Sequence, residues 1–363
     1  MPLHISLPVF LGSLGLMIFG SVLVARALGR LGPRLNVPEQ FMGFVTALAA
    51  DSPEISSTVV AMLSGQTNVG VGVVFGSNLF NLASLLGITA VIAGRISVRR
   101  NAALLDGSVG LLVTGAAVLL VTGLLPAPIV AGFSFAVVLT YVYLLALPRE
   151  RLQELPIPQG WRTFFVSAAS DAKEHGKQIK RTGEEEESDR QRKKVLKHSQ
   201  KLAQGKPQKE EAPESTSKLT FVVSGSLAMI VVSSFGLVRS ATWLTSRWLP
   251  QGLLGTLLLA ALTGIPNLYT AVRLALRKRG SAVVTEAMNS NSLNILVGLM
   301  IPSLVFGSLS ARTVGGYLDT GLLLFLTALS VALLSISKGL RRAQGFLIIA
   351  LYLAFAAVRI WLW

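Results

Sequence analysis

Asp51 and Glu54 are two carboxylates three residues apart inside an apolar run, and that spacing puts both on one face of a helix. A carboxylate at mid-membrane depth costs about 2.5 kcal/mol or more even on the most lenient insertion scale, so it faces a cavity, a partner or an ion. Pro53 stands between them. Proline removes a backbone donor and clashes with the carbonyl four residues back, which frees oxygens that can join carboxylates around a hard cation. Further on, Gly70, Gly72 and Gly76 permit close approach of a neighbouring helix, and Ser77 and Asn81, four apart, stack on one face. Neutral hydroxyl and amide oxygens suit Na⁺ or Ca²⁺ because they replace part of the hydration shell. For a single copy, hydrogen bonding between helices would explain the Ser and Asn residues equally well.

The pattern occurs twice. Pro53, Ser77, Asn78 and Asn81 are matched 213 positions later by Pro266, Ser290, Asn291 and Asn294, and Gly94, Asp106 and Thr114 by Gly307, Asp319 and Thr327 in the same register. Several of these are rare residue types inside apolar runs, so a shared register marks an internal repeat. Thr263, Pro266, Asn267, Ser290 and Asn294 thus repeat the arrangement, but Gly264 stands where Asp51 stands and Asn267 where Glu54 stands. Both candidate charges come from the first copy.

Acids outside the central hydrophilic stretch are few. Twelve of the eighteen lie in 148–217, leaving Glu39, Asp51, Glu54, Asp106, Glu286 and Asp319. Glu286 and Arg273 are equally distant from the turn near Arg279 and Gly280, so an antiparallel hairpin brings them to one depth as a structural ion pair, with a role in the ion path as the alternative. Asp106 and Asp319 read as acids in the first turn of equivalent helices, complementing the helix dipole, and Glu39 beside Pro38 reads the same way.

The elements that must position these residues follow from composition. With 52% hydrophobic and 14% charged residues and a mean hydropathy of +0.61, the chain is an all-α polytopic membrane protein. Apolar segments of spanning length cover 7–30, 39–63, 68–93, 103–124 and 128–147, then 219–239, 250–277, 281–306, 316–336 and 342–363. That gives a first five-helix repeat, 1–147, a charged linker, 148–217, mostly disordered, and a second repeat, 218–363. The first run is longer than a signal h-region and lacks a convincing small-residue cleavage site, so it reads as a retained span. Trp161, Phe164 and Phe165 mark a stretch that could lie at the membrane interface, although a solvated tether is the plainer reading.

Placing both termini outside puts thirteen basic residues at inner helix ends, from Arg26, Arg30 and Arg34 to Lys338, Arg341 and Arg342, and leaves only Arg239, Arg247, Arg312 and Arg359 outside. The linker is then cytoplasmic, and the +15 net charge reflects positive-inside orientation in a cell membrane rather than a nucleic-acid partner. Five spans per copy force the two halves to be inverted relative to each other, with broken helices at the midplane, an architecture of secondary transporters. There is no cysteine, and His4, His175 and His198 fall outside the apolar segments, so thiolate and histidine metal chemistry has no ligands there. No nucleophile and base set points to an enzyme.

Ala49-Ala50-Asp51-Ser52-Pro53-Glu54 followed by Gly76-Ser77-Asn78-Leu79-Phe80-Asn81 resembles the first alpha-repeat of the cation/calcium exchanger superfamily, and Thr263 to Asn267 with Asn289 to Asn294 resembles the second. The resemblance implies a ten-helix antiporter of two inverted halves, in a divergent bacterial branch, exchanging Ca²⁺ against Na⁺ or H⁺ as transported ligands without a cofactor. It implies a lining of Ala47, Ala50, Asp51, Glu54, Ser77 and Asn81 with Ala260, Thr263, Asn267, Ser290 and Asn294. Two departures stand out. The family's second repeat usually carries a glutamate where Asn267 stands, and Asp51 replaces a small hydroxyl residue. Na⁺/H⁺ antiport without Ca²⁺, a cation channel, or a sensor without transport on the same fold are the alternatives.

Overall fold

The computed structural model describes residues 3–35, 39–170, 173, 177, 181, 215–246, 249–307 and 314–362. Lipid offers no partner for backbone polar groups, and a helix satisfies them within one segment. Eight helices are long and apolar enough to cross a membrane: Leu3–Gly32, Thr67–Ala93, Arg100–Val121, Ala127–Ala146, Thr216–Thr245, Gly280–Phe306, Val314–Ser337 and Arg342–Trp361. A ninth results if Gln251–Thr263 and Ile265–Leu276, bent by 45°, count as one span. The remaining expected span falls on Glu39–Ala50 and Ser52–Leu63, two shorter helices that meet at Asp51. Large apolar side chains face outward, with Phe221 78% and Ile336 82% exposed, while Asp51, Glu54, Asn81 and Asn294 are buried. A chain solvated by lipid sorts its residues in this inside-out way.

The duplication is carried into the backbone. Ser52–Leu63 and Ile265–Leu276 are offset by 213 residues at both ends, and Thr67 and Gly280 open the following helices at that same offset. At the breaks, Asp51 has φ −79° and ψ −6°, and Gly264 has φ −80° and ψ −6°. Pro53 and Pro266 each occupy the first turn after the break, where the missing N–H leaves no hydrogen bond unmade.

Small residues bring the two halves together. A Cβ on Gly76 would collide with the backbone of Thr256, and one on Gly255 with the backbone of Val69. Thr67–Ala93 and Gln251–Thr263 therefore pack main chain against main chain, as close helix crossings in membranes require. Three stretches widen to π-helix, Leu82–Ile88, Leu254–Leu259 and Leu296–Met300. They lie beside Asn81, Ala260 and Asn294 respectively. Leu3–Arg34 and Thr216–Thr245 pair around Met17, Val24, Ile230 and Leu237, and the same cluster takes in Val60 and Ala61 of Ser52–Leu63.

The structure differs from the sequence reading in two respects. It is not wholly helical: Arg95–Ser97 and Gly339–Arg341 pair antiparallel, with Arg95 opposite Arg341, so these basic loops share one end of the molecule. The described start of the 148–217 stretch is helical and packed rather than a bare tether. Arg149–Glu154 buries Leu152, and in the helix over 159–170 Phe164, Phe165 and Val166 pack against the core cluster while Trp161 stacks on Phe165.

Candidate cation site

The two broken helices and the two helices that follow them converge on the carboxylates of Asp51 and Glu54. Asn267 bridges the pair: its Nδ2 donates to Asp51 Oδ1 at 2.9 Å and to Glu54 Oε1 at 3.1 Å. The Ser290 hydroxyl donates to Asp51 Oδ1 at 2.6 Å. Glu54 Oε2 accepts from Asn81 Nδ2 at 3.4 Å and also from Asn294 Nδ2. Asn81 Nδ2 lies 2.9 Å from Ser290 Oγ, which ties the two copies of the motif together. Negative charge thus comes from the first half, and Asn267, Ser290 and Asn294 of the second half supply most of the donors.

Ionised carboxylates only accept, so each asparagine that meets one must turn its NH₂ toward it. Its amide oxygen then points elsewhere. Asn81 Oδ1, Asn267 Oδ1, Asn294 Oδ1 and Asp51 Oδ2 are all buried without a hydrogen-bond donor. Unpaired buried acceptors cost about 1–3 kcal/mol each. Three amide oxygens around two carboxylates, one of which keeps its own oxygen free, with no basic side chain among the described residues bonded to either acid, form a donor set of the kind that hard cations use.

Other expected lining residues are buried but bonded locally. Ser77 Oγ donates to Val74 O at 3.2 Å and also lies within hydrogen-bonding reach of the Glu54 carboxylate, while Thr263 Oγ1 donates to Leu259 O at 2.9 Å. The Ala47 carbonyl accepts from the Asp51 N–H at 2.9 Å and the Ala260 carbonyl from the Gly264 N–H at 3.1 Å, while Ala50 is buried next to Asp51. The oxygen that Pro53 frees, that of Ala49, is taken by the Ser52 hydroxyl at 2.6 Å, so it does not join the carboxylates.

Three sequence expectations are corrected. Glu286 and Arg273 do not pair: Glu286 Oε2 is buried without a partner, and the Arg273 guanidinium stacks 5.7 Å from the Tyr269 ring centroid. Equal depth along a hairpin does not fix rotation about each helix axis. Asp106 is not in a first turn but further inside Arg100–Val121, where it accepts from Tyr141 Oη and Thr285 Oγ1, each at 2.9 Å. Asp319 lies inside Val314–Ser337 and pairs with Arg359 at 2.6 Å, with Thr256 Oγ1 at 3.2 Å. Arg359 therefore serves a buried contact. The side chain of Glu39, together with Pro38, Arg247 and Arg312, lies outside the described residues.

Sequence reasoning also passed over contacts that the structure makes prominent. Asn78 Nδ2 donates to Asn291 O at 3.1 Å and Asn291 Nδ2 to Asn78 O at 3.4 Å, so two residues 213 positions apart bond reciprocally. The shared offset already paired them, but nothing in a sequence says that equivalent residues touch. Phe80 bears on one asymmetry: a Cβ at Gly264 would overlap its ring, so an acid where the first half carries Asp51 would require that ring to shift.

Comparison with known proteins agrees with this geometry. Residues 5–148 and 218–361 match the family model described as sodium/calcium exchanger protein. The sodium/potassium/calcium exchanger Nckx30C of Drosophila melanogaster is 31% identical over 148 residues, 39% of this chain and 16% of that protein. Human sodium/potassium/calcium exchanger 1 is 29% identical over 157 residues, 41% of this chain and 14% of that protein. The matched stretches are thus a small part of those relatives. Two solved structures share the fold: the sodium-calcium exchanger NCX_Mj, with a TM-score of 0.60 and 20% identity over 98% of this chain and 99% of that one, and the H⁺/Ca²⁺ exchanger CAX, with 0.66 and 14% over 98% and 86%. Because the family model takes in both helical halves together with the carboxylates and amides that meet between them, this multi-pass membrane chain belongs to the sodium/calcium exchanger protein family.

Proposed function

We propose that the chain is a secondary active antiporter that moves Ca²⁺ against Na⁺ or H⁺ through one site between its halves. The observation that carries this reading is the pair Asp51 and Glu54, held among the described residues by amide and hydroxyl donors and accompanied by three buried amide oxygens without donors. Two carboxylates balance one Ca²⁺ or two Na⁺, which is the charge equivalence that exchange at a shared site needs. Asn81, Asn267 and Asn294 serve as switchable ligands: half a turn about χ2 replaces the N–H that faces a carboxylate by an oxygen that faces a cation. The names of the relatives, exchangers of Ca²⁺ with Na⁺, K⁺ or H⁺, support Ca²⁺ as one of the ions.

Counting both broken pairs as spans gives ten helices, five per half, and an odd number per half inverts one against the other. Reciprocal bonding of Asn78 and Asn291 is the contact expected across a two-fold relation, which supports that inversion. Rocking of the halves about this seam then exposes the site alternately to the two sides. The Arg95–Ser97 and Gly339–Arg341 ribbon gathers basic residues at one end, which the positive-inside rule assigns to the cytoplasm together with the 148–217 linker, leaving both termini outside.

The test is Ca²⁺ isotope uptake into sealed vesicles holding the purified full chain, with an outward Na⁺ gradient, an outward H⁺ gradient, or neither. Uptake that requires one of the gradients is expected. Gradient-independent uptake would identify a channel, and no Ca²⁺ flux under any of the three would end the Ca²⁺ reading.

A further inference from the structure

Gly280–Ile295 carries two polar rows. Ser290 and Asn294, four apart, meet the carboxylates of Asp51 and Glu54. Thr285 and Asn289, also four apart, form a second row one residue earlier, turned about 100° around the same axis. The first row belongs to the cation site. The second meets side chains of the first half that touch neither Asp51 nor Glu54.

Asp106 is the centre of that second contact. Thr285 Oγ1 donates to its Oδ2 at 2.9 Å. The Tyr141 hydroxyl lies between two acceptors, Asp106 Oδ1 at 2.9 Å and Asn289 Oδ1 at 3.1 Å. Asp106 and Tyr141 are buried, and they come from Arg100–Val121 and Ala127–Ala146. One carboxylate and one phenol of the first half therefore grip two successive turns of a helix of the second half.

The duplicated scaffold does not supply this grip. Asp106 recurs as Asp319, which serves Arg359 and Thr256 instead, and the positions matching Tyr141, Thr285 and Asn289 hold Ala354, Gly72 and Gly76. A Cβ on Gly72 or on Gly76 would meet the backbone of Thr256, so Thr67–Asn81 is seated by main-chain contact. Its counterpart Gly280–Ile295 is seated by side-chain hydrogen bonds on the equivalent face. Steric contact sets how near two helices come, whereas hydrogen bonds, which weaken steeply with angle, also fix rotation and depth. Rotation and depth decide whether the Ser290 hydroxyl stays at 2.6 Å from Asp51 Oδ1.

We propose that Asp106, acting through Tyr141 and Thr285, is a positioning residue of the cation site: it sets the rotation and depth of Gly280–Ile295, and with them the oxygens that Ser290 and Asn294 offer to a cation. This rests on the reading of Ca²⁺ as an ion of that site and adds to it residues that do not touch the ion.

The experiment is equilibrium Ca²⁺ binding to the purified full chain for wild type, Tyr141→Phe, Thr285→Val, Thr285→Ser, Ser290→Ala and Tyr141→Phe/Ser290→Ala, with thermal unfolding in chelator recorded for each. Tyr141→Phe and Thr285→Val are each expected to weaken binding about 3–10-fold at unchanged stoichiometry, the worth of one hydrogen bond, while Thr285→Ser, which keeps the hydroxyl, stays within about twofold of wild type. Once Ser290→Ala has removed the positioned hydroxyl, Tyr141→Phe should add about twofold or less. Fully additive effects of Tyr141→Phe and Ser290→Ala, Thr285→Ser binding no better than Thr285→Val, or variants that lose thermal stability yet bind as wild type does, each overturn the positioning role. The Thr285 contrast decides even if Tyr141→Phe fails to fold. Wild type that binds no Ca²⁺ overturns the Ca²⁺ reading and this role with it, whereas wild-type binding with additive effects overturns the role alone.

Discussion

Replacing Asn267 by aspartate inverts the most central contact of the site. The Asn267 amide nitrogen lies 2.9 Å from Asp51 Oδ1 and 3.1 Å from Glu54 Oε1, so a carboxylate oxygen there faces two negative neighbours at about 3 Å. At an effective dielectric near 20, each contact costs about 5 kcal/mol, and two charge-assisted hydrogen bonds of about 1.5–3 kcal/mol each are lost as well. Taking up a proton limits the penalty: neutralising an ordinary aspartic acid at pH 7 costs about 4 kcal/mol. A neutral acid restores only one of the two hydrogen bonds, so the expected loss for Asn267→Asp in chelator at pH 7 is about 6–7 kcal/mol of unfolding free energy. It shrinks as pH falls toward the ordinary carboxyl range, where the proton is bound at no cost. Bound Ca²⁺ removes the same repulsion, so Ca²⁺ stabilises the variant more than wild type, by up to about 4 kcal/mol, roughly a thousandfold in apparent affinity. Thermal unfolding of detergent-purified protein, with chelator and with Ca²⁺ at several pH values, reads both effects. Equal stability of the two proteins in chelator at pH 7 would refute the bridging role of Asn267.

Glu54→Gln removes the acid that meets Asn81, Asn267 and Asn294, and Ca²⁺ exchange in vesicles should fall at least ~10–100-fold, the equivalent of one charged contact; wild-type exchange would dismiss Glu54 as a ligand. Arg359→Leu leaves Asp319 buried without its base and should cost about 3–5 kcal/mol, with Asp319→Asn on top restoring most of it in a denaturation assay. Gly76→Ala should destabilise by about 1–3 kcal/mol because its Cβ meets the Thr256 backbone, while Gly115→Ala, where no neighbour lies within 4 Å, should be neutral or stabilising by up to about 1 kcal/mol. Equal effects at the two glycines would contradict the close helix crossing.

Helices were legible because spanning length and apolarity are set by the bilayer: the expected 128–147 is observed as Ala127–Ala146, and the expected 342–363 as Arg342–Trp361. Asp51, Glu54, Asn81, Asn267, Ser290 and Asn294 stood out because such residues are costly in lipid, and the structure brings them into mutual contact. Helix starts were less legible. The expected 103–124 begins instead at Arg100, which moves Asp106 from the first turn to a depth where it meets Tyr141 and Thr285. Rotation about a helix axis was not legible at all, so Arg273 could be given a depth but not a partner. Ser52 taking the oxygen freed by Pro53 is a local choice of hydroxyl rotamer that spacing does not encode. In the 148–217 stretch, the density of charge hid the apolar face that Leu152, Phe164 and Phe165 present to the core.

The most direct test of the central claim is equilibrium Ca²⁺ binding to the purified full chain, wild type against Asp51→Asn/Glu54→Gln. Saturable binding by wild type, absent from the double variant while its helical content and thermal unfolding stay intact, is the expected result. Binding of the same stoichiometry and affinity in the double variant would place the cation elsewhere and contradict the assignment of Asp51 and Glu54.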